Sequence, residues 1–197
     1  MIGDSGLRNI RDLVTKTLYD DIPGDYIETG VWRGGASIFI RAILAAHEVE
    51  NRKVYVADSF EGLPKPNAAK YPRDKRDRLF LFEELAVSED TVAANFQKYD
   101  LLDNQVVFLK GFFSETLPKL TTERFALLRL DGDMYESTMD ALKNLYERLS
   151  PGGYVIVDDY GILSGCRQAV HDFLDSKHLK PTIHPVNAGV HWWQKAA

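Results

Sequence analysis

Five runs of β-branched and other apolar residues, which end repeatedly in a glycine or an acid, alternate with amphipathic stretches, and this alternation limits the fold more than any other feature of the chain. The strand-like runs are Tyr26–Val31, Val54–Ser59, Val106–Gly111, Phe125–Asp131 and Tyr154–Asp159. Helical patterns fall at residues 7–20, 36–48, 83–98, 136–149 and 165–176. Strands separated by helices must pair in parallel, which predicts a doubly wound, Rossmann-like α/β sheet. The rhythm breaks at the end. Pro181–Val186 and Val190–Lys195 are joined only by Asn187-Ala188-Gly189, too short for a helical crossover, so an antiparallel hairpin should complete a mostly parallel, seven-stranded sheet. Ser150-Pro151-Gly152-Gly153 is read as the stop of the helix ending near Leu149, and Pro23-Gly24 as the break between the first helix and the first strand.

A chain of 197 residues with 45% hydrophobic content can bury one core, so a single domain over 1–197 is expected. The one long irregular stretch, about 60–82, carries Pro64, Pro66, Pro72 and the run Arg73-Asp74-Lys75-Arg76-Asp77-Arg78; its length suggests a lid, while its charges read first as a solvated surface. No run reaches the length of a membrane span and the N-terminus lacks the features of a signal peptide, so a cytoplasmic protein without a membrane partner is expected. A single cysteine, Cys166, rules out an internal disulfide and a thiolate zinc site. A net charge of −5 gives no excess for neutralising phosphates, so nucleic acid is not expected as a partner. A homo-oligomer is compatible with these features.

In open α/β sheets ligands bind beyond the carboxyl ends of the strands. The first strand runs into Glu28-Thr29-Gly30-Val31-Trp32-Arg33-Gly34-Gly35-Ala36-Ser37, a glycine-bearing turn before a helix whose free N–H groups suit a carboxylate or phosphate; its spacing is not the dinucleotide pattern. Asp58, ending the second strand, either accepts hydrogen bonds from ribose hydroxyls or caps the turn after it. Gly111-Phe112-Phe113 offers a ring for adenine, or a plain core residue. Asp131 and Asp133 follow the fourth strand, and Asp158 and Asp159 the fifth. If those strands are neighbours, the converging acids need a counter-charge, either Arg129 and backbone donors or a hard cation such as Mg²⁺. The five histidines form no ligand pattern, and one of Trp192 and Trp193 should be core.

YIETGVWRGGAS at Tyr26–Ser37, VADSFEGLP at 56–64, LRLDGDMYEST at 128–138 and VDDY at 157–160 closely resemble the macrocin O-methyltransferase family, over nearly the whole chain. The resemblance implies a class I fold, S-adenosylmethionine as methyl donor, Mg²⁺, and a sugar hydroxyl of a glycosylated natural product as acceptor. Carried residue by residue, it places the donor's amino-acid end at Glu28, Thr29, Gly30 and Ser37, and its ribose at Asp58 and Ser59. The metal falls to Asp131, Asp158 and Asp159, and the base to Asp133. Two departures are visible. The chain starts close to the Gly6-Leu7-Arg8-Asn9-Ile10 region, so the N-terminal extension of many relatives is not expected, and residues 188–195 match the family's last strand only loosely. A catechol acceptor, or a non-catalytic module binding an adenosyl or sugar ligand, are the alternative expectations.

Overall fold

The computed structural model describes residues 2–121 and 123–196. Its seven strands are β1 (Asp25–Thr29), β2 (Val54–Asp58), β3 (Val106–Lys110), β4 (Phe125–Leu130), β5 (Leu149–Val157), β6 (His184–Pro185) and β7 (His191–Gln194). They form one sheet in the order β3-β2-β1-β4-β5-β7-β6, parallel from β3 to β5, with β7 antiparallel to β5 and to β6. The order reverses between β1 and β4, and that switch opens a crevice at the strands' carboxyl ends.

Alternate residues of the central strands feed two cores, as the period of two requires. Tyr26, Leu127 and Tyr154 face α1 (Asp4–Tyr19) and α2 (Gly35–Ala46), and Val56 continues that face to α3 (Glu89–Gln97). Ile27, Leu128 and Val155 face α5 (Tyr135–Leu145) and α6 (Ser164–Ser176); the short α4 (Phe113–Thr116) precedes β4. Trp193 is fully buried and Trp192 only partly, in keeping with their opposite faces. No helix among the described residues is long and apolar enough to cross a membrane.

Three expectations need correction. The residues Ser150–Gly153 do not terminate a helix: α5 ends at Leu145, a 3-10 turn follows, and Ser150–Gly153 lies inside β5, where the register against β4 shifts. Pro151 has no N–H for the ladder, so the irregularity absorbs it instead of ending the strand. Residues 83–85 are a separate 3-10 turn, and α3 starts only after Ser88, whose Oγ accepts the Thr91 N–H and whose neighbours Glu89 and Asp90 favour a helix N-terminus. The penultimate strand is reduced to His184–Pro185, an edge strand whose second residue is a proline. From Phe60 to Phe82 the chain is irregular apart from 3-10 turns at Pro72–Asp74 and Leu79–Leu81.

Candidate active site

Beyond β1 the chain turns at Gly30, with φ +84°. A Cβ there would lie 1.8 Å from the Asp131 carbonyl oxygen, so only glycine lets the ends of β1 and β4 approach this closely. The Val31 N–H donates to Asp58 Oδ2 at 2.7 Å and the Phe60 N–H to Asp58 Oδ1 at 2.8 Å. Asp58 therefore braces two loops at once, and burial raises its pKa against those backbone donors. The turn-capping role is present in the structure, and a carboxylate with further lone pairs still lines the cavity.

Glu28 and Arg129 are opposite each other on β1 and β4, and both are 2% exposed. The Arg129 guanidinium donates to Glu28 at 2.6 Å, to Asp131 at 2.7 Å and to Asp158 at 2.5 Å, while the Ser37 hydroxyl donates to Glu28 from α2. Burial pushes Arg129 toward losing its proton, and the three carboxylates more than offset this, so it stays charged. Glu28 is carried up to about 7 by burial, in spite of Arg129 and Ser37.

The guanidinium leaves two acids unserved. Asp133 and Asp159 lie with Asp131 in one group whose carboxylate oxygens come within 4.8 Å of one another. Burial, then the charge of Asp131, pushes Asp133 up to about 7; burial with the charges of Asp131 and Asp133 pushes Asp159 up to about 9. The Asp159 Oδ2 is buried without a hydrogen-bond partner. Three crowded carboxylates, two of them beyond the reach of Arg129, suit a hard divalent cation, so the residues present fit such an ion. The two readings of the acidic cluster thus divide: Arg129 serves Asp131 and Asp158, and a hard cation would suit the group of Asp131, Asp133 and Asp159.

These groups open into a cavity of about 930 Å³. Glu28, Gly30, Asp58, Ser59, Phe112, Asp131, Asp133, Asp158 and Asp159 are on its wall, with Gly62, Leu63 and Pro64 from the irregular segment. Thr29, Ser37 and Gly111 stand behind the wall: Ser37 holds Glu28, and Gly111, with φ +133°, makes the turn that presents Phe112. Among the described residues no histidine lines the cavity. Sequence reasoning did not single out Trp32, Glu136 and Asp140 on the wall; it named Arg129 as one possible counter-charge to the acids, as the structure has it, without its further bond to Glu28. The signal for Arg129 was available: a lone cation in the otherwise apolar strand Phe125–Leu130 has to be paired.

A seven-stranded sheet of this order, with a cavity at its switch point between an acid-ended β2 and an acid-rich β4 and β5, defines a class I methyltransferase. The sequence profile of the family described as Macrocin-O-methyltransferase (TylF) matches residues 1–195, and the chain belongs to that family. It is 51% identical over 199 aligned residues, all of this chain and 76% of the relative, to the 8-demethyl-8-(2,3-dimethoxy-alpha-L-rhamnosyl)-tetracenomycin-C 4'-O-methyltransferase of Streptomyces olivaceus. It is 46% identical, over all of this chain and 78% of the relative, to the mycinamicin III 3''-O-methyltransferase of Micromonospora griseorubida. The solved structure of the O-methyltransferase NovP superposes with a TM-score of 0.97 at 46% identity, covering 100% of this chain and 81% of that one.

Proposed function

We propose that this methyltransferase moves the methyl group of S-adenosylmethionine to a sugar hydroxyl of a glycosylated natural product, with a divalent cation, Mg²⁺ or similar, held by Asp131, Asp158 and Asp159. The observation that carries the proposal is the cavity-facing acid group, which holds Asp131 and Asp159 as ligands and Asp133 as base, beside the switch-point turn at Gly30; Asp158 stands outside that group, on Arg129, and would join the ion by exchanging that bond. The two sugar-methylating relatives support the acceptor class.

Glu28, fixed by Arg129 and Ser37, and the backbone of the Gly30 turn would receive the donor's amino-acid end; Asp58 and Ser59 would receive its ribose, with Phe112 beside the adenine. Methyl transfer is a direct displacement. The acceptor oxygen forms a bond to the methyl carbon, the carbon–sulfur bond breaks, its electron pair stays on sulfur, and the hydroxyl proton passes to Asp133. In the ion-free protein burial raises Asp133 to about 7; a cation on the neighbouring acids would pull it back down and leave an ionised carboxylate able to accept the proton. The cation would supply positive charge that eases loss of the hydroxyl proton. The protein's remaining contribution is alignment of the oxygen with the methyl carbon.

Labelled S-adenosylmethionine, Mg²⁺ and a panel containing the acceptors of the two relatives, simple rhamnosides and catechols test the reading. Label on a sugar hydroxyl is the expected result. Label only on a phenol would assign a catechol-type activity, and tight donor binding with no transfer to any acceptor would leave a binding module.

A further inference from the structure

Asp74 belongs to the charge run of the irregular segment, yet it is 2% exposed. Its Oδ1 accepts the Tyr135 N–H at 2.8 Å and its Oδ2 accepts the Glu136 N–H at 2.9 Å, across 61 and 62 residues of sequence. Those are the first two amides of α5, which have no partner within the helix, and Met134 at the N-cap position supplies no side-chain bond. Asp74 therefore caps α5 from a distant loop. Tyr71 strengthens the attachment by packing on the Tyr135 ring at 6.0 Å.

The residue just before that capped turn is the proposed base. Asp133 has φ +59°, and the Met134 N–H donates to the Gly132 carbonyl at 2.6 Å, closing a three-residue γ-turn with Asp133 at its centre. A residue bearing a Cβ holds such a turn only when both flanks are fixed. One flank is tied to β1, where the Asp131 N–H donates to the Thr29 carbonyl at 2.9 Å. The other flank is the first turn of α5, which buried Met134 and the Tyr135 hydroxyl on Asp172 hold at its side chains and Asp74 holds at its free backbone amides.

We infer that Asp74 is a positioning residue: through the first turn of α5 it holds the γ-turn that aims the Asp133 carboxylate into the cavity. This rests on the reading of Asp133 as proton acceptor given above. The segment carrying Asp74 also reaches the donor end of the cavity, where its Gly62, Leu63 and Pro64 line the wall, so the order of this segment and the aim of the base are coupled.

The test is a double-mutant cycle on the full chain with Mg²⁺, S-adenosylmethionine and the acceptors of the two relatives. Asp74→Ala should lower kcat about a hundredfold, the scale of a small misplacement of a reacting group, with the donor KM and the affinity for S-adenosylhomocysteine within about twofold of wild type. Asp74→Asn, which keeps one acceptor oxygen, should retain an intermediate rate, and it carries the comparison if Asp74→Ala does not fold. In an Asp133→Asn background, Asp74→Ala should lower the residual rate less than about twofold, because residues acting as a unit are not additive. Hydrogen exchange at Met134, Tyr135 and Glu136 should quicken in Asp74→Ala. A strongly impaired Asp133→Asn beside an unimpaired Asp74→Ala would overturn the inference alone, as would fully multiplicative losses in the double variant. An Asp133→Asn enzyme running at the wild-type rate would overturn the base assignment and this inference with it.

Discussion

Replacing Arg129 with methionine removes the one cation that Glu28, Asp131 and Asp158 share, while keeping much of the side chain's volume. The three acids would not suffer equally. Asp131 and Asp158 have side chains 30% and 22% exposed and can regain water, whereas Glu28 is 3% exposed and cannot. Most of the loss therefore comes from Glu28, and breaking a buried pair by deleting one partner costs about 3–5 kcal/mol. At about 2–4 °C per kcal/mol for a domain of this size, Tm should fall by roughly 6–20 °C at pH 8. The loss should also depend on pH. Glu28 already has its folded pKa raised to about 7 with Arg129 present, and without it the value moves higher. A group raised on folding favours the fold below its unfolded pKa and loses that contribution as pH rises through the folded value. At pH 5 Glu28 is neutral in the folded variant, so the deficit against wild type should shrink. Thermal melting by circular dichroism at pH 5 and pH 8 reads both effects. A Tm at pH 8 within about 2 °C of wild type, or a deficit equal at both pH values, would contradict the hub role of Arg129.

Gly30→Ala should yield protein that is insoluble or fails to bind S-adenosylhomocysteine in calorimetry, since its Cβ would stand 1.8 Å from a backbone oxygen; wild-type binding would show that β1 and β4 need not approach so closely. Asp58→Ala should lose about 1–3 kcal/mol of stability, from the two backbone donors it leaves unpaired, and a similar amount of S-adenosylhomocysteine affinity; a stability loss with unchanged affinity would confine Asp58 to turn capping. Asp133 and Asp159 are raised to about 7 and about 9, so in the metal-free protein their contribution favours the fold at low pH and is lost as pH rises through those values. Mg²⁺ should accordingly raise Tm more at pH 9 than at pH 6, and an equal or reversed increment in a melting series would argue against a cation among these acids.

Much of the sheet was readable because its strands are apolar runs that end abruptly in acids or glycine, and all five parallel strands lie where the pattern puts them to within a few residues. The misread segments share a cause. At Ser150–Gly153 the residues that usually stop a helix are instead accommodated by a register shift, and at His184–Pro185 the sheet edge accepts a proline; both outcomes depend on neighbours distant in sequence. In the site, Asp131, Asp133, Asp158 and Asp159 were visible because adjacent strand ends bring them together. Their division between Arg129 and the uncompensated group was not visible, because it is decided by which carboxylates a single guanidinium can reach. Asp74 was hidden for a different reason: within Arg73–Arg78 it looks like every other solvated charge, and only the return of α5 to that loop buries it.

The most direct measurement is the initial rate of label transfer from S-adenosylmethionine to whichever sugar acceptor of the panel takes label, for wild type, Asp159→Asn and Asp133→Asn, after chelator treatment and across a Mg²⁺ titration. The predicted result is no transfer in chelator and recovery of wild type on adding Mg²⁺. Asp159→Asn should need more Mg²⁺ for a partial recovery, and Asp133→Asn should stay at a low residual rate at every concentration. Full wild-type transfer with the chelator present would contradict a cation-assisted sugar methylation.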